Sequence, residues 1–212
     1  MCGIFIAINK KFQPINLDNC KKSLNEMYRR GPDWSFYRLI NKNIFIGQVV
    51  LSMTGKQKKN LNLHYSRSGN FFIVFNGEIY NYKDLAFNIL GKKKIEDLSD
   101  TNILVNLFES KKPDKINPIL DGMYAYVVYN KAKNQLLITR DPQGEKSLYI
   151  YENNETIIIS SEINPIIKFT KNDKINLNVL KTYFCSRHFL QFNKIIFNNI
   201  RNIEPGILTS LN

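Results

Sequence analysis

From Ile4 to Ile8 the chain is apolar and largely β-branched, a run that reads as a strand. Apolar residues then switch to helical spacing at Leu17, Cys20, Leu24, Met27 and Tyr28, with Gly31 placed to end the helix. Strand-like runs return over 35–40 and 43–53, separated by the turn-like Asn41-Lys42-Asn43, and again over 70–80. Residues 81–90 and 98–111 read as helices. The second opens with the N-cap types Ser99 and Asp100 and sets Ile103, Leu104, Leu107 and Phe108 on one face. From residue 123 the texture changes to short runs at 123–130, 134–141, 147–153 and 156–162, which read as consecutive antiparallel strands. Strands, two helices and strands again predict an α+β fold with antiparallel sheets covered by helices. The sequence turns irregular near Phe189, so residues 2–188 form the expected domain and 189–212 a tail or the start of a linker.

Composition narrows the class. With 212 residues and 43% apolar content the chain can bury one substantial core. It has neither a secretory signal pattern nor an apolar run of about 18 residues, so a soluble, cytoplasmic protein without a membrane partner is expected. Cys2, Cys20 and Cys185 are too widely spaced for a disulfide framework or a zinc pattern, and no metal site is expected. Cys20 and Cys185 read as structural. The net charge of +12 comes from scattered lysines, with clusters in the loop-like stretches 55–60 and 90–97. No nucleic-acid motif accompanies them, so no specific nucleic-acid partner is expected, only general attraction for anions at low salt.

Cys2 stands directly behind Met1 and just ahead of the first strand. On the first nine residues alone it reads as a small buried hydrophobe at a strand end; the rest of the chain changes that. Cys2-Gly3-Ile4-Phe5, Arg30 to Trp34 (RGPDW), Leu51 to Met53 (LSM), Asn76 to Tyr82 (NGEIYNY) and Ser99 to Thr101 (SDT) follow in order. Leu120 to Asn130 (LDGMYAYVVYN), Arg140 to Ile150 (RDPQGEKSLYI) and Ser160 to Glu162 (SSE) continue the series. Together they resemble the class II glutamine amidotransferase domain found at the N-terminus of glutamine-hydrolysing asparagine synthetases. The resemblance runs from residue 2 to about residue 165, with a looser echo at Ile200 to Gly206.

That resemblance implies an N-terminal nucleophile hydrolase fold, a four-layer αββα sandwich of two antiparallel sheets. It also implies the glutaminase half-reaction, hydrolysis of the glutamine side-chain amide through a Cys2 thioester. The chemistry needs a nucleophile, a proton carrier and oxyanion stabilisation. His64 and His188 lie outside the motifs and read as incidental. An N-terminal cysteine needs no histidine, because its own α-amino group, freed by removal of Met1, titrates near pH 8. Gly3 would allow close approach of backbone and substrate. By the resemblance, Asn76 and Gly77 form the oxyanion hole, although Asn-Gly is also a common hairpin turn. Asp100 would bind the substrate α-ammonium, its alternative being an N-cap carboxylate. Leu51, Met53 and Glu78 would line the glutamine site, and Arg30 would support the nucleophile. Arg140 and Asp141 read as a pair that bridges a loop.

Two features depart from the family pattern. An arginine that grips the substrate α-carboxylate usually precedes "LS"; here that position is Val50, with Gln48 two residues before it and Ser147 in place of a usual proline. Without that cation the alternative is a non-hydrolysing member serving as an interaction or regulatory module. No ATP-binding synthetase region is visible, so this is a fragment, a separate subunit or a free-standing domain. No cofactor is expected in it; ATP and Mg would belong to the missing synthetase domain. Glutamine and a synthetase domain or subunit are the expected partners, and homodimerisation stays open.

Overall fold

The computed structural model describes residues 1–52, 61–89, 91, 99–188 and 193–211. In chain order the elements are β1 (Gly3–Asn9), α1 (Leu17–Asn25), β2 (Trp34–Ile40), β3 (Ile44–Val50), β4 (Phe71–Ile79), α2 (Tyr82–Asn88) and α3 (Asp100–Ser110). Then come β5 (Gly122–Asn130), β6 (Gln135–Arg140), β7 (Tyr149–Glu152), β8 (Thr156–Ser160), α4 (Ile163–Thr170), α5 (Leu177–Ser186), β9 (Ile200–Asn202) and β10 (Thr209–Leu211). They fall into two compact units. One holds Cys2–Leu51 and Ser147–Glu204; the other holds Met1, Ser52–Lys146 and Pro205–Asn212.

The first unit is built on a six-stranded antiparallel sheet in the order β2-β3-β1-β8-β7-β9. The uninterrupted apolar run of β1 suits an interior strand, since both of its faces must be covered. Phe5 and Ala7 from β1 and Phe45 from β3 pack with Cys20, Leu24 and Met27 and with Ile166 of α4. Asn16 caps α1 by accepting the Asn19 N–H at 2.9 Å. A 3-10 turn over Tyr28–Arg30 follows, so the helix expected through Tyr28 ends earlier.

The second unit is a four-stranded antiparallel sheet in the order β10-β6-β5-β4, which leaves β4 at an edge. Ile73, Phe75 and Ile79 of β4, with Tyr124, Tyr126 and Val128 of β5, turn one face toward Leu85 of α2 and Leu104 and Phe108 of α3. Asn76 belongs to the alternate set, on the face opposite those helices. Ser99 caps α3, its hydroxyl accepting the Asn102 N–H at 3.2 Å.

The α+β class with antiparallel sheets is as expected, and three details differ. The runs from 134 to 153 are not neighbours: β5–β6 and β7–β8 are hairpins, but β6 and β7 lie in different sheets. Residues 200–202 and 209–211, read as irregular tail, form the outer strands β9 and β10. Three-residue strands are too short to show a period. The sequence pattern predicts no helix over α4 or α5. The lysines at 56–59 and 92–94 lie outside the described residues. Among the described residues, no helix is long and apolar enough to cross a membrane, and no cluster of His, Cys, Asp and Glu could hold a metal ion.

Candidate active site

Cys2 lies immediately ahead of β1, the strand held between β3 and β8. Its thiol donates to the Leu51 carbonyl oxygen at 3.7 Å. Arg30, at the end of the 3-10 turn, donates from Nε to the Cys2 carbonyl oxygen at 3.0 Å. Its Nη1 donates to Glu162 Oε1, also at 3.0 Å. These contacts bring Cys2, Leu51 and Arg30 together in one unit. Gly3 has a packing reason: a Cβ there would come within 2.9 Å of Val49 Cγ2 and 3.0 Å of Met27 Sδ. Its bareness therefore serves the seat of β1 on β3.

Val50 ends β3 opposite Trp34, with its side chain buried. Its carbonyl oxygen accepts the Asp33 N–H at 3.1 Å. Valine offers nothing to a carboxylate, and Arg30 is committed to Cys2 and Glu162.

In the other unit, Asn76 is 1% exposed, and among the described residues neither its Nδ2 nor its Oδ1 has a hydrogen-bond partner. A buried amide left unpaired costs roughly 1–3 kcal/mol, so a native sequence keeps one only for a purpose. Gly77 follows with φ +153° and pairs with Tyr124. Tyr124 gives its N–H to Asp141 Oδ2 at 3.3 Å, and its carbonyl oxygen accepts the Asp141 N–H at 2.7 Å. Both polar groups of a strand residue point the same way, so Tyr124 and Gly77 form a non-hydrogen-bonded pair. The Gly77 N–H therefore points outward from the edge of the sheet, next to the unpaired amide of Asn76.

Two residues on, the Ile79 N–H points the same way and donates to Asp100 Oδ2 at 3.3 Å. Asp100 Oδ1 accepts the Thr101 N–H at 2.7 Å. Ser99 performs the capping, so Asp100 is not the N-cap but the first residue of α3. Burial pushes the Asp100 carboxyl up, partly offset by the Thr101 and Ile79 hydrogen bonds and reinforced by the nearby Glu78 carboxylate. Asn76, Gly77, Glu78 and Asp100 thus cluster within this unit, while Met53 lies outside the described residues.

Other sequence readings resolve differently. Arg140 and Asp141 serve their loop separately: Arg140 Nη2 donates to the Gly144 carbonyl oxygen. The buried Asp141 carboxylate accepts from Tyr124, Glu145 and Lys146 N–H groups. His64 sits in the core, its Nδ1 donating to the Ile73 carbonyl oxygen at 3.0 Å, and burial pushes it down to about 4. Burial likewise pushes the Cys20 thiol up to about 12, which suits an inert core position. Cys185 is exposed on α5 and is no core residue. The sequence assigns no role to Glu162, although it stands in the SSE motif at Ser160 to Glu162.

A family model described as the glutamine amidotransferase domain matches residues 1–212. Asparagine synthetase [glutamine-hydrolyzing] 1 of Bacillus subtilis is 29% identical over 210 residues, covering 97% of this chain and 33% of the relative. Asparagine synthetase B of Escherichia coli is 27% identical over 176 residues, covering 82% and 31%. The chain thus spans about a third of the length of the curated relatives it matches. Among solved structures, the glutamine phosphoribosylpyrophosphate amidotransferase from B. subtilis, complexed with ADP and GMP, superposes with a TM-score of 0.69. That match is 16% identical and covers 100% of this chain and 47% of the other, so it speaks for the fold alone.

Proposed function

The chain belongs to the glutamine amidotransferase domain family, and from that premise we propose that it hydrolyses glutamine to glutamate and ammonia with Cys2 as nucleophile. Removal of Met1 frees the Cys2 α-amine, which accepts the thiol proton. The thiolate attacks the side-chain carbonyl carbon of glutamine, a C–S bond forms, and the C=O electron pair moves onto oxygen. Asn76 Nδ2–H and Gly77 N–H donate to that oxyanion. Donors of this kind are typically worth about 3 kcal/mol each. As the tetrahedral centre collapses, the C–N bond breaks and the ammonium returns its proton to departing ammonia. The amine then takes a proton from water, hydroxide attacks the thioester, and glutamate leaves with the thiol restored. Asp100 receives the substrate α-ammonium, and Leu51, Met53 and Glu78 line the glutamine site.

The observation that carries this reading is the buried Asn76 amide, unpartnered among the described residues, beside an outward-facing glycine N–H. Neither step calls for a cofactor. ATP and magnesium would serve only a synthetase domain or subunit that activates the ammonia acceptor, and a cytoplasmic location suits that arrangement. A homodimer of this chain is compatible with it. With Val50 in place of a cation, glutamine should bind weakly.

The test is to treat the protein with a glutamine-analogue diazoketone and compare intact mass and tryptic map before and after. A single adduct on Cys2, blocked by excess glutamine and absent in Cys2→Ala, supports the reading. A chain that begins at Cys2 and takes no adduct would instead be a non-hydrolysing interaction module, the reading Val50 favours.

A further inference from the structure

We propose that Ser161 and Glu162, at the junction of β8 and α4, clamp the nucleophile in place, Glu162 acting as a positioning residue through Arg30. The inference rests on the reading of Cys2 as nucleophile. An N-terminal residue frays unless it is tied down, and β1 has a gap on one side. Its pairing with β3 extends to Gly3 opposite Val49, but its pairing with β8 stops at Phe5 opposite Ser160.

Beyond that point one backbone hydrogen bond and side-chain contacts continue the ladder. The Ile4 N–H donates to Ser161 Oγ at 3.0 Å, and the Ser161 N–H donates to the Ile4 carbonyl oxygen at 3.0 Å. The next station is the Cys2 carbonyl oxygen, held by Arg30 Nε, whose guanidinium is held in turn by Glu162. Three successive residues, Ser160 to Glu162, therefore fix Phe5, Ile4 and, through Arg30, Cys2.

The clamp is itself anchored. Ser147 Oγ donates to the Ser161 carbonyl oxygen at 2.8 Å, and the Glu162 N–H donates to Ser160 Oγ at 3.3 Å. Ser147 stands where the family pattern usually has proline, which has no hydroxyl to give, so this departure strengthens the clamp. The Arg30 side chain is 15% exposed and that of Glu162 36%, so the pair is partly shielded and holds its geometry better than a surface pair.

The test compares Glu162→Gln, Arg30→Met and the double variant, each with Met1 removed. The first readout is the rate at which iodoacetamide alkylates Cys2, mapped by peptide mass, with exposed Cys185 as internal reference. Removing the negative charge of Glu162 would by itself favour the thiolate and speed alkylation. A clamp predicts the opposite: Glu162→Gln slows Cys2 by at least about threefold, leaves Cys185 unchanged, and adds less than about twofold on top of Arg30→Met. Glutamine turnover should fall in parallel, with KM little changed.

Parental Cys2 reactivity in Glu162→Gln, an equal slowing in both backgrounds, or a lower melting temperature alone would overturn the clamp. Because alkylation needs no glutamine, the two readings fail separately. A parent that never hydrolyses glutamine removes the proposed function and leaves the clamp to stand or fall on alkylation.

Discussion

The Cα of Tyr124 occupies the space a side chain on Gly77 would need: a Cβ there would meet it at 2.6 Å and would run into the Met123 carbonyl oxygen. Neither neighbour is a flexible side chain, so Gly77→Ala must push the edge strand β4 away from β5. The expected cost is about 3 kcal/mol in urea unfolding. The same displacement moves the outward N–H, so glutamine turnover should drop even in the folded fraction. Loss of stability at full turnover per folded molecule would show that this N–H is not a catalytic donor.

Asn76 carries the opposite signature. Its amide forms no hydrogen bond among the described residues, so replacing it removes no native interaction seen there. Asn76→Leu, close in size and without the unpaired amide, should raise stability by about 1 kcal/mol. It should also lower kcat roughly 10²–10³-fold, as for other oxyanion donors. A less stable, fully active variant would remove Asn76 from the site.

The contrast between local and distant residues explains what was legible in the sequence. β1 to β8 declared themselves because each is an apolar or alternating run of four or more residues bounded by turn signals. α4 did not, because Pro165 reads as a breaker, although the first helical turn tolerates it. α5 buries none of its residues, so its apolar positions show no core-facing stripe to detect. Cys2, Asn76 and Gly77 stand in short motifs that a local window can single out. Glu162 reaches Arg30 across 132 positions and Ser161 reaches Ile4 across 157, separations that no local window spans.

Asp100 sets a pH dependence. Burial raises its pKa above the usual 3.8, so the fold favours the neutral acid, and ionising it costs stability as pH rises through that range. A substrate ammonium offsets the cost only when the carboxylate is charged. The value of kcat/KM for glutamine should therefore fall with decreasing pH along a limb set by this raised pKa, above an ordinary aspartate limb. Asp100→Asn should abolish that limb, raise KM, and stabilise the free protein at neutral pH. Persistence of the limb in Asp100→Asn would assign it to another group.

His64 predicts a change in stability instead. The folded state holds it neutral, with its pKa down from 6.5 to about 4, while the unfolded chain takes up a proton below 6.5. Between those values the unfolded state binds more protons, so stability is full above pH 6.5 and is lost as pH falls toward 4. The loss is about 3 kcal/mol. Urea unfolding at pH 7.5 and pH 5 should show part of it, and His64→Gln should flatten the difference. An equal slope in the variant would place the acid sensitivity in the carboxylates.

Val50 offers the sharpest test of substrate binding. It is the last residue of β3, and the carbonyl that receives the Cys2 thiol belongs to its neighbour Leu51. A long cationic side chain from this position starts one residue from the nucleophile's contact. Val50→Arg will cost about 1–3 kcal/mol of stability, since the site is buried and packed. The α-carboxylate of glutamine is unchanged between ground and transition states, so a new contact to it is uniform binding: KM falls while kcat holds. A desolvated charge pair is worth several kcal/mol, which sets the expected drop in KM at about tenfold or more. The control is 4-aminobutanamide, which keeps the amide and amine but lacks the carboxylate; its KM should not move. If both KM values fall together, the arginine acts by some route other than the α-carboxylate. If neither falls, the carboxylate is bound from elsewhere in the chain, and the valine is no handicap to glutamine binding.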